Sequence, residues 1–211
     1  MPEGHEYAED YYDFSRPESG IKSKVDTIRD SFIRRQVLKR VSGGALLDVG
    51  CGIGMFLETM AGEFDLYGVD ISDYAIKVCA QRLPDAKLAV GSLIEGLPFD
   101  RTFDVISAIN VMEHLEDPLG AASVVRSRLR PGGLFVTHLP TIGNKVQARL
   151  YKSSYDQDPT HIYRPSGPAY QRLVSSAGFK CTFQTYAPFV GAPLWRVLKA
   201  HPAHLAIFEA L

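Results

Sequence analysis

The chain has 211 residues, 45% of them hydrophobic and 22% charged, which suits one domain that buries its core without disulfides or a structural metal. With 23 Lys and Arg against 24 Asp and Glu the formal net charge is −1, so electrostatics give no reason to expect a nucleic-acid partner. Cys51, Cys79 and Cys181 form no C-x-x-C pair, no basic segment followed by an apolar stretch opens the chain, and no apolar run reaches the roughly 18 residues of a membrane span; a reducing cytoplasm is the expected setting.

In chain order, Ile21, Val25, Ile28, Phe32 and Val41 fall near helical spacing, and Gly43-Gly44 stops that helix. Ala45–Val49 is a short apolar run of the kind a doubly covered strand shows, and a glycine-rich turn leads from it into a helix over Ile53–Met60. Asp65–Val69 reads as a second strand, and Ser72 as the N-cap of a helix over Asp73–Arg82. Lys87–Val90 and Phe103–Asn110 follow as strands, and Pro118 opens a helix that runs to Leu129. Arg130-Pro131-Gly132-Gly133 reads as a turn and Leu134–Leu139 as a fifth strand. From Pro140 to Pro165 no clean period survives, before a helix over Ser166–Ala177 and a sixth strand over Lys180–Tyr186. Trp195–Leu211 reads as helical. Strands alternating with helices imply a doubly wound, mostly parallel α/β sheet, with ligands bound outside the carboxyl ends of its strands.

The loop after the first strand, Gly50-Cys51-Gly52-Ile53-Gly54, lets the backbone turn tightly and approach a ligand. A dinucleotide fingerprint needs a further glycine where this chain has Met55, so the nicotinamide pattern fails. Asp70, at the end of the second strand, is placed to accept two hydrogen bonds from a ribose diol. Asp48, just before the turn, would repel a pyrophosphate but suits the ammonium of an amino-acid moiety. The pattern therefore points away from NAD and toward a nucleoside ligand without phosphates.

Leu46–Gly54, Asp70, Gly91-Ser92-Leu93, Phe103–Ile106, Glu113–Pro118 and Leu129–Gly133 resemble, in order and spacing, the motifs of class I S-adenosylmethionine-dependent methyltransferases, in their ubiquinone/menaquinone-biosynthesis-like branch. The resemblance implies a Rossmann-like sheet in the order 3-2-1-4-5-7-6 with the seventh strand antiparallel. It also implies S-adenosylmethionine as methyl donor and S-adenosylhomocysteine as product. Carried over, Gly50, Cys51, Gly52 and Gly54 line the methionine part and ribose, Asp48 receives the ammonium, and Asp70 holds the ribose hydroxyls. Ile71 packs on the adenine, and Leu93 offers it a backbone amide. Ser92 stands where relatives have an aspartate for the adenine amino group. Asn110 and Val111 sit beside the sulfonium. Residues 1–20 would form an N-terminal lid, with Tyr11 among the tyrosines folding over the cofactor. Residues 21–190 would be the cofactor-binding domain with an acceptor or lid insertion at 140–165, and 191–211 a helical tail. With no seventh strand visible, that strand is expected to be missing or replaced by the tail, and an exposed sheet edge would invite a homodimer.

On the acceptor side, a small-molecule acceptor is expected, and the candidates for proton removal are His114 and His161. His161 follows Asp158, which could instead pin it structurally. Relatives that methylate ubiquinone precursors carry a Glu-x-x-Glu-His metal site; here Asn110 replaces its first carboxylate, so no metal is expected. A buried, backbone-satisfied His138 is expected at the end of strand five. Lys145, Arg149, Lys152 and Arg164 make the insertion locally basic, which suits an anionic acceptor or a solvated face equally. A catalytically silent binding module, or an enzyme acting on RNA or protein, are the alternatives.

Overall fold

The computed structural model describes residues 21–187, 189, 194 and 197–211, without the side chains of 21–23. The expected lid over 1–20, with Tyr11, lies outside the described residues.

Helix α1 (Ile21–Leu38) precedes strand β1 (Ala45–Val49), then come α2 (Met55–Met60), β2 (Asp65–Asp70), α3 (Asp73–Arg82), β3 (Lys87–Val90) and β4 (Phe103–Ile109). A 3₁₀ turn at Met112–His114 leads to α4 (Pro118–Arg128) and β5 (Leu129–Pro140), followed by α5 (Lys145–Ser154), α6 (Gly167–Ser176), β6 (Phe179–Tyr186) and β7 (Ala203–Ala210). The seven strands form one sheet in the order β3-β2-β1-β4-β5-β7-β6, with β7 antiparallel to both neighbours. Alternation along β1 divides its side chains between two cores, as a strand covered on both faces requires. Leu47 and Val49 join Phe135, Tyr170 and Phe208, while Leu46 joins Ile33, Leu57, Val136 and Leu205. Parallel register brings the ends of β1 to β4 to one edge: Val49 lies opposite Val69 and Ala108, Asp70 opposite Val90, and Ile109 opposite His138.

Three expectations change. The tail is not helical over Ala203–Ala210 but forms β7, so the seventh strand is present and the open edge invoked for a homodimer is closed by it. All but one of its residues are buried, leaving no alternation to announce a strand. The turn at Arg130–Gly133 lies within β5 as a bulge, where the register jumps from Phe103↔Leu129 to Val105↔Leu134. The aperiodic insertion contains α5, capped by Asn144, whose side chain accepts from the Gln147 amide. Its buried side chains are Gln147 and Tyr151, so a polar residue occupies the inward face and hides the apolar period.

His204 on β7 is fully buried, and burial lowers its pKa to about 4. Unfolded it titrates near 6.5. Its contribution is therefore complete above that value and is lost as the pH falls toward 4. His204→Leu is expected to flatten the acid limb of the stability profile in that window by about 1.4 kcal/mol per pH unit, read by urea denaturation; an unchanged limb would contradict this.

Candidate active site

The loop between β1 and α2 is held by backbone and carboxylate. The amides of Gly50 and Cys51 donate to the Val69 carbonyl at 2.8 and 3.1 Å, and the Gly52 amide donates to Asp70 Oδ2 at 2.8 Å. Asp70 Oδ1 accepts from the Ser72 amide at 2.9 Å, and Ser72 caps α3 through the Ala75 amide. One carboxylate thus ties the loop after β1 to the start of α3. Gly50 and Gly54 adopt φ of 66° and 85°, and neither has room for a side chain. A Cβ on Gly50 would lie 2.4 Å from Val111 Cγ2, and one on Gly54 2.6 Å from Cys79 Sγ. Cys51 is buried, and contact with the Cys79 thiol together with burial raises its pKa.

Asp48 lies at the end of β1 that leads into the loop. It is 2% exposed, it accepts from the Ser107 hydroxyl at 2.6 Å, and burial pushes its pKa up to about 8. Without a cation beside it, burial favours the protonated form of this carboxyl. Nothing in the spacing of Asp48 and Ser107 signals this pair, which arises from the pairing of β1 with β4. Ile71 is half-buried at the end of β2, Leu93 is buried, and the Ser92 hydroxyl accepts from the Ile94 amide at 3.2 Å.

At the end of β4, Asn110 takes φ 57°, a left-handed conformation that asparagine tolerates better than most residues. Its amide donates to the His138 carbonyl at 2.8 Å, and its Oδ1 pairs with His138 Nδ1 at 2.6 Å. Burial holds His138 well below the usual histidine value, so the ring is neutral and donates from Nδ1. His138 is thus satisfied by the Asn110 side chain rather than by backbone.

Three residues on, the turn Met112–His114 meets the insertion. Glu113 is completely buried, neither carboxyl oxygen meets a donor from another of the described residues, and burial raises its pKa to about 8. His114 Nδ1 lies 3.2 Å from the Thr160 carbonyl and 2.9 Å from its hydroxyl. A carbonyl only accepts, so Nδ1 carries the proton and Nε2 the lone pair. The Thr160 amide and hydroxyl both donate to Asp158, holding that carboxyl below its usual range against the opposing effect of burial. His161 is buried, with Nε2 3.7 Å from Asp158 Oδ2 and Nδ1 3.4 Å from the Tyr151 hydroxyl. Burial lowers both histidines, and His161 further disfavours a charge on His114; their rings are 4.8 Å apart. One ligand atom each from Glu113, His114 and His161 lies within 4.8 Å of the others, a donor set that can hold a divalent cation.

The structure joins predicted Gly52 to predicted Asp70 and brings predicted His114 and His161 together with Glu113, which was not among the predicted site residues. Gly50→Ala is expected to cost roughly 1–3 kcal/mol through left-handed strain and collision with Val111. Adding Val111→Ala is expected to recover part of that loss, as measured by thermal denaturation; no recovery would place the cost in the backbone alone.

Among known proteins, the methyltransferase domain family matches residues 22–184. The chain is 31% identical over 135 residues to the mitochondrial ubiquinone biosynthesis O-methyltransferase of Schizosaccharomyces pombe, covering 61% of this chain and 47% of that protein. It is 27% identical over 150 residues to the tRNA U34 carboxymethyltransferase of Pseudoalteromonas translucida, covering 68% of this chain and 47% of that one. The chain spans about half the length of the curated relatives it matches. An S-adenosylmethionine-dependent methyltransferase from Clostridium acetobutylicum shares the fold, with a TM-score of 0.70 at 13% identity over 87% of this chain and 91% of that one.

Proposed function

The chain belongs to the methyltransferase domain family, and on that premise we propose that it transfers the methyl group of S-adenosylmethionine to a small or medium-sized acceptor. The donor supplies an electrophilic methyl group and leaves as S-adenosylhomocysteine. The observation that carries this reading is the glycine-rich loop Gly50–Gly54 after β1, anchored on the Asp70 carboxylate through the Gly52 amide and packed too closely on Val111 and Cys79 for a Cβ at Gly50 or Gly54. In it Gly50, Cys51, Gly52 and Gly54 line the methionine and ribose portions, and Asp70 takes the ribose hydroxyls. Ile71, Ser92 and Leu93 border the adenine, while Asn110 and Val111 border the methyl-bearing end. Asp48, bonded by Ser107, faces the amino-acid end, where the donor's ammonium would meet it directly or through water.

Methyl transfer needs in-line alignment and exclusion of water. The acceptor atom bonds to the methyl carbon as the carbon–sulfur bond breaks, and the acceptor's proton goes to a base. Burial disfavours the charged forms of His161, which belongs to the insertion that would cover the acceptor, and of His114, which packs against it. The O-methyltransferase names among the relatives support an oxygen on a small molecule. The even charge balance weighs against an RNA acceptor. Three free cysteines suit a reducing cytoplasm, and no helix among the described residues is long and apolar enough to cross a membrane.

Calorimetry is expected to show binding of S-adenosylmethionine and none of NAD, with Asp70→Ala weakening the former at least about tenfold; the reverse preference would overturn the reading. Labelling of lysate fractions from methyl-labelled donor identifies the acceptor. With it, His161→Ala is expected to lower turnover while leaving donor affinity unchanged.

The unpartnered Glu113 carboxyl beside two histidines favours a second reading of that cluster, a divalent cation orienting the acceptor. Added Mg²⁺ or Zn²⁺ would then raise the melting temperature of the wild type but not of Glu113→Gln. An equal response, or none, leaves the histidines as metal-free bases.

A further inference from the structure

Two of the three cysteines meet beneath the glycine loop. Cys51 belongs to the loop, and Cys79 lies on α3, whose start Asp70 ties to that loop. Both are buried in the core that also holds Leu46 and Leu57. Each sulfur fills a space that a glycine leaves. A Cβ on Gly68 of β2 would lie 2.9 Å from Cys51 Sγ, and one on Gly54 would lie 2.6 Å from Cys79 Sγ. The thiols hydrogen-bond to each other, and that bond raises Cys51 and lowers Cys79 from the ordinary thiol value. Arg82, three residues on, adds to the lowering of Cys79 against burial and Asp70. Cys79 is thus the sulfur that better tolerates negative charge, with Cys51 as its proton donor. Cys181 stands apart on β6, at the opposite edge of the sheet from β3.

We propose that Cys51 and Cys79 form an oxidisable dithiol, which hydrogen peroxide converts to a disulfide that pulls the glycine loop out of its donor-binding shape. One sulfur attacks a peroxide oxygen and the O–O bond breaks, giving a sulfenic acid and water. The second sulfur then displaces water from the sulfenic acid, and the S–S bond forms. In sum the two thiols lose two hydrogens and the peroxide becomes two waters. A covalent S–S bond is shorter than the contact between two thiols, so closing it draws the loop and α3 together. Cys79 sits on a helix capped by Ser72, whereas the loop is held by a few bonds from Gly50, Cys51 and Gly52 to Val69 and Asp70. The loop is therefore the part that yields, and its contact with Asp70 moves with it. Reducing thiols would restore the pair, which makes the bond a transient response to peroxide rather than a structural staple. The dithiol stands independently of the methyltransferase reading, while the loss of donor binding rests on it.

The test treats the full chain with hydrogen peroxide, alkylates it under denaturing conditions and maps the digest by mass spectrometry. A peptide crosslinked through Cys51 and Cys79 is expected, with Cys181 still alkylated. Once the peroxide is removed, calorimetry is expected to show S-adenosylmethionine affinity lowered at least about tenfold and recovered with dithiothreitol. Cys79→Ala is expected to bind the donor like the reduced wild type and to keep that affinity after peroxide, while Cys181→Ala stays sensitive. Melting temperatures check that both variants fold, and the crosslink and its reversal are read on the wild type without them. Absence of the Cys51–Cys79 crosslink, pairing of either residue with Cys181, or an oxidised chain that binds the donor as tightly as the reduced one would each overturn the proposal. A chain that forms the crosslink but binds no donor even when reduced would instead overturn the reading of the loop as a donor site.

Discussion

The carboxylate of Asp70 is the joint on which the candidate site depends. A parallel sheet brings the ends of β1 and β2 side by side, but it does not fix the loops that leave them. Asp70 accepts from the Gly52 amide with one oxygen and from the Ser72 amide with the other. It thereby orients the glycine loop against the entry to α3, at a position 8% exposed where water is too sparse to satisfy those amides. A charged acceptor bonds such donors more strongly than a neutral one. The glycines supply the complementary condition, since a chain that turns this sharply beside Val111 and Cys79 has no space for a Cβ.

Beyond that joint, the polar groups around the site are ones whose charged forms burial disfavours. Asp48 and Glu113 are pushed up to about 8, while His114, His138 and His161 are held below the ordinary histidine range. Removal from water is the first cause in every case: a protein rarely sustains an isolated interior charge and shifts the proton equilibrium instead. The Asp48–Ser107 and Asn110–His138 pairs satisfy their members across neighbouring strands. Glu113 has no such partner among the described residues, so a ligand that bonded it would relieve the cost of its burial.

The sequence made much of this legible because the cofactor-side features are local. The loop, Asp70 and the Ser72 cap lie within one strand–helix–strand unit, where spacing alone dictates neighbours. The features that escaped depend on distant segments. Ser107 meets Asp48 only through the β1–β4 pairing, and Thr160 reaches His114 only because the insertion folds back across the 3₁₀ turn. β7 escaped for another reason: burial of nearly every side chain erases the alternation that identifies a strand, and its alanines, leucine and glutamate equally suit a helix. Helix α5 was hidden by the polar Gln147 on its inward face, whose hydrogen bonds to Gly143 and His201 cannot be read from periodicity.

The insertion of β7 between β5 and β6 has a kinetic consequence. Among the described residues β6 pairs only with β7, and β7 is also the partner of β5 on the side away from β4. On the ribosome, β1 to β5 can pair as they emerge, but the outer edge of β5 stays open until residues 203–210 have been made. During that interval β6 is synthesised before the strand that pairs with it. The final register closes through contacts distant in sequence, which are slow to form, so the nascent chain passes through a stage with an unpaired apolar edge. Chaperone dependence and sensitivity to translational pausing should therefore concentrate on the stretch between β6 and β7.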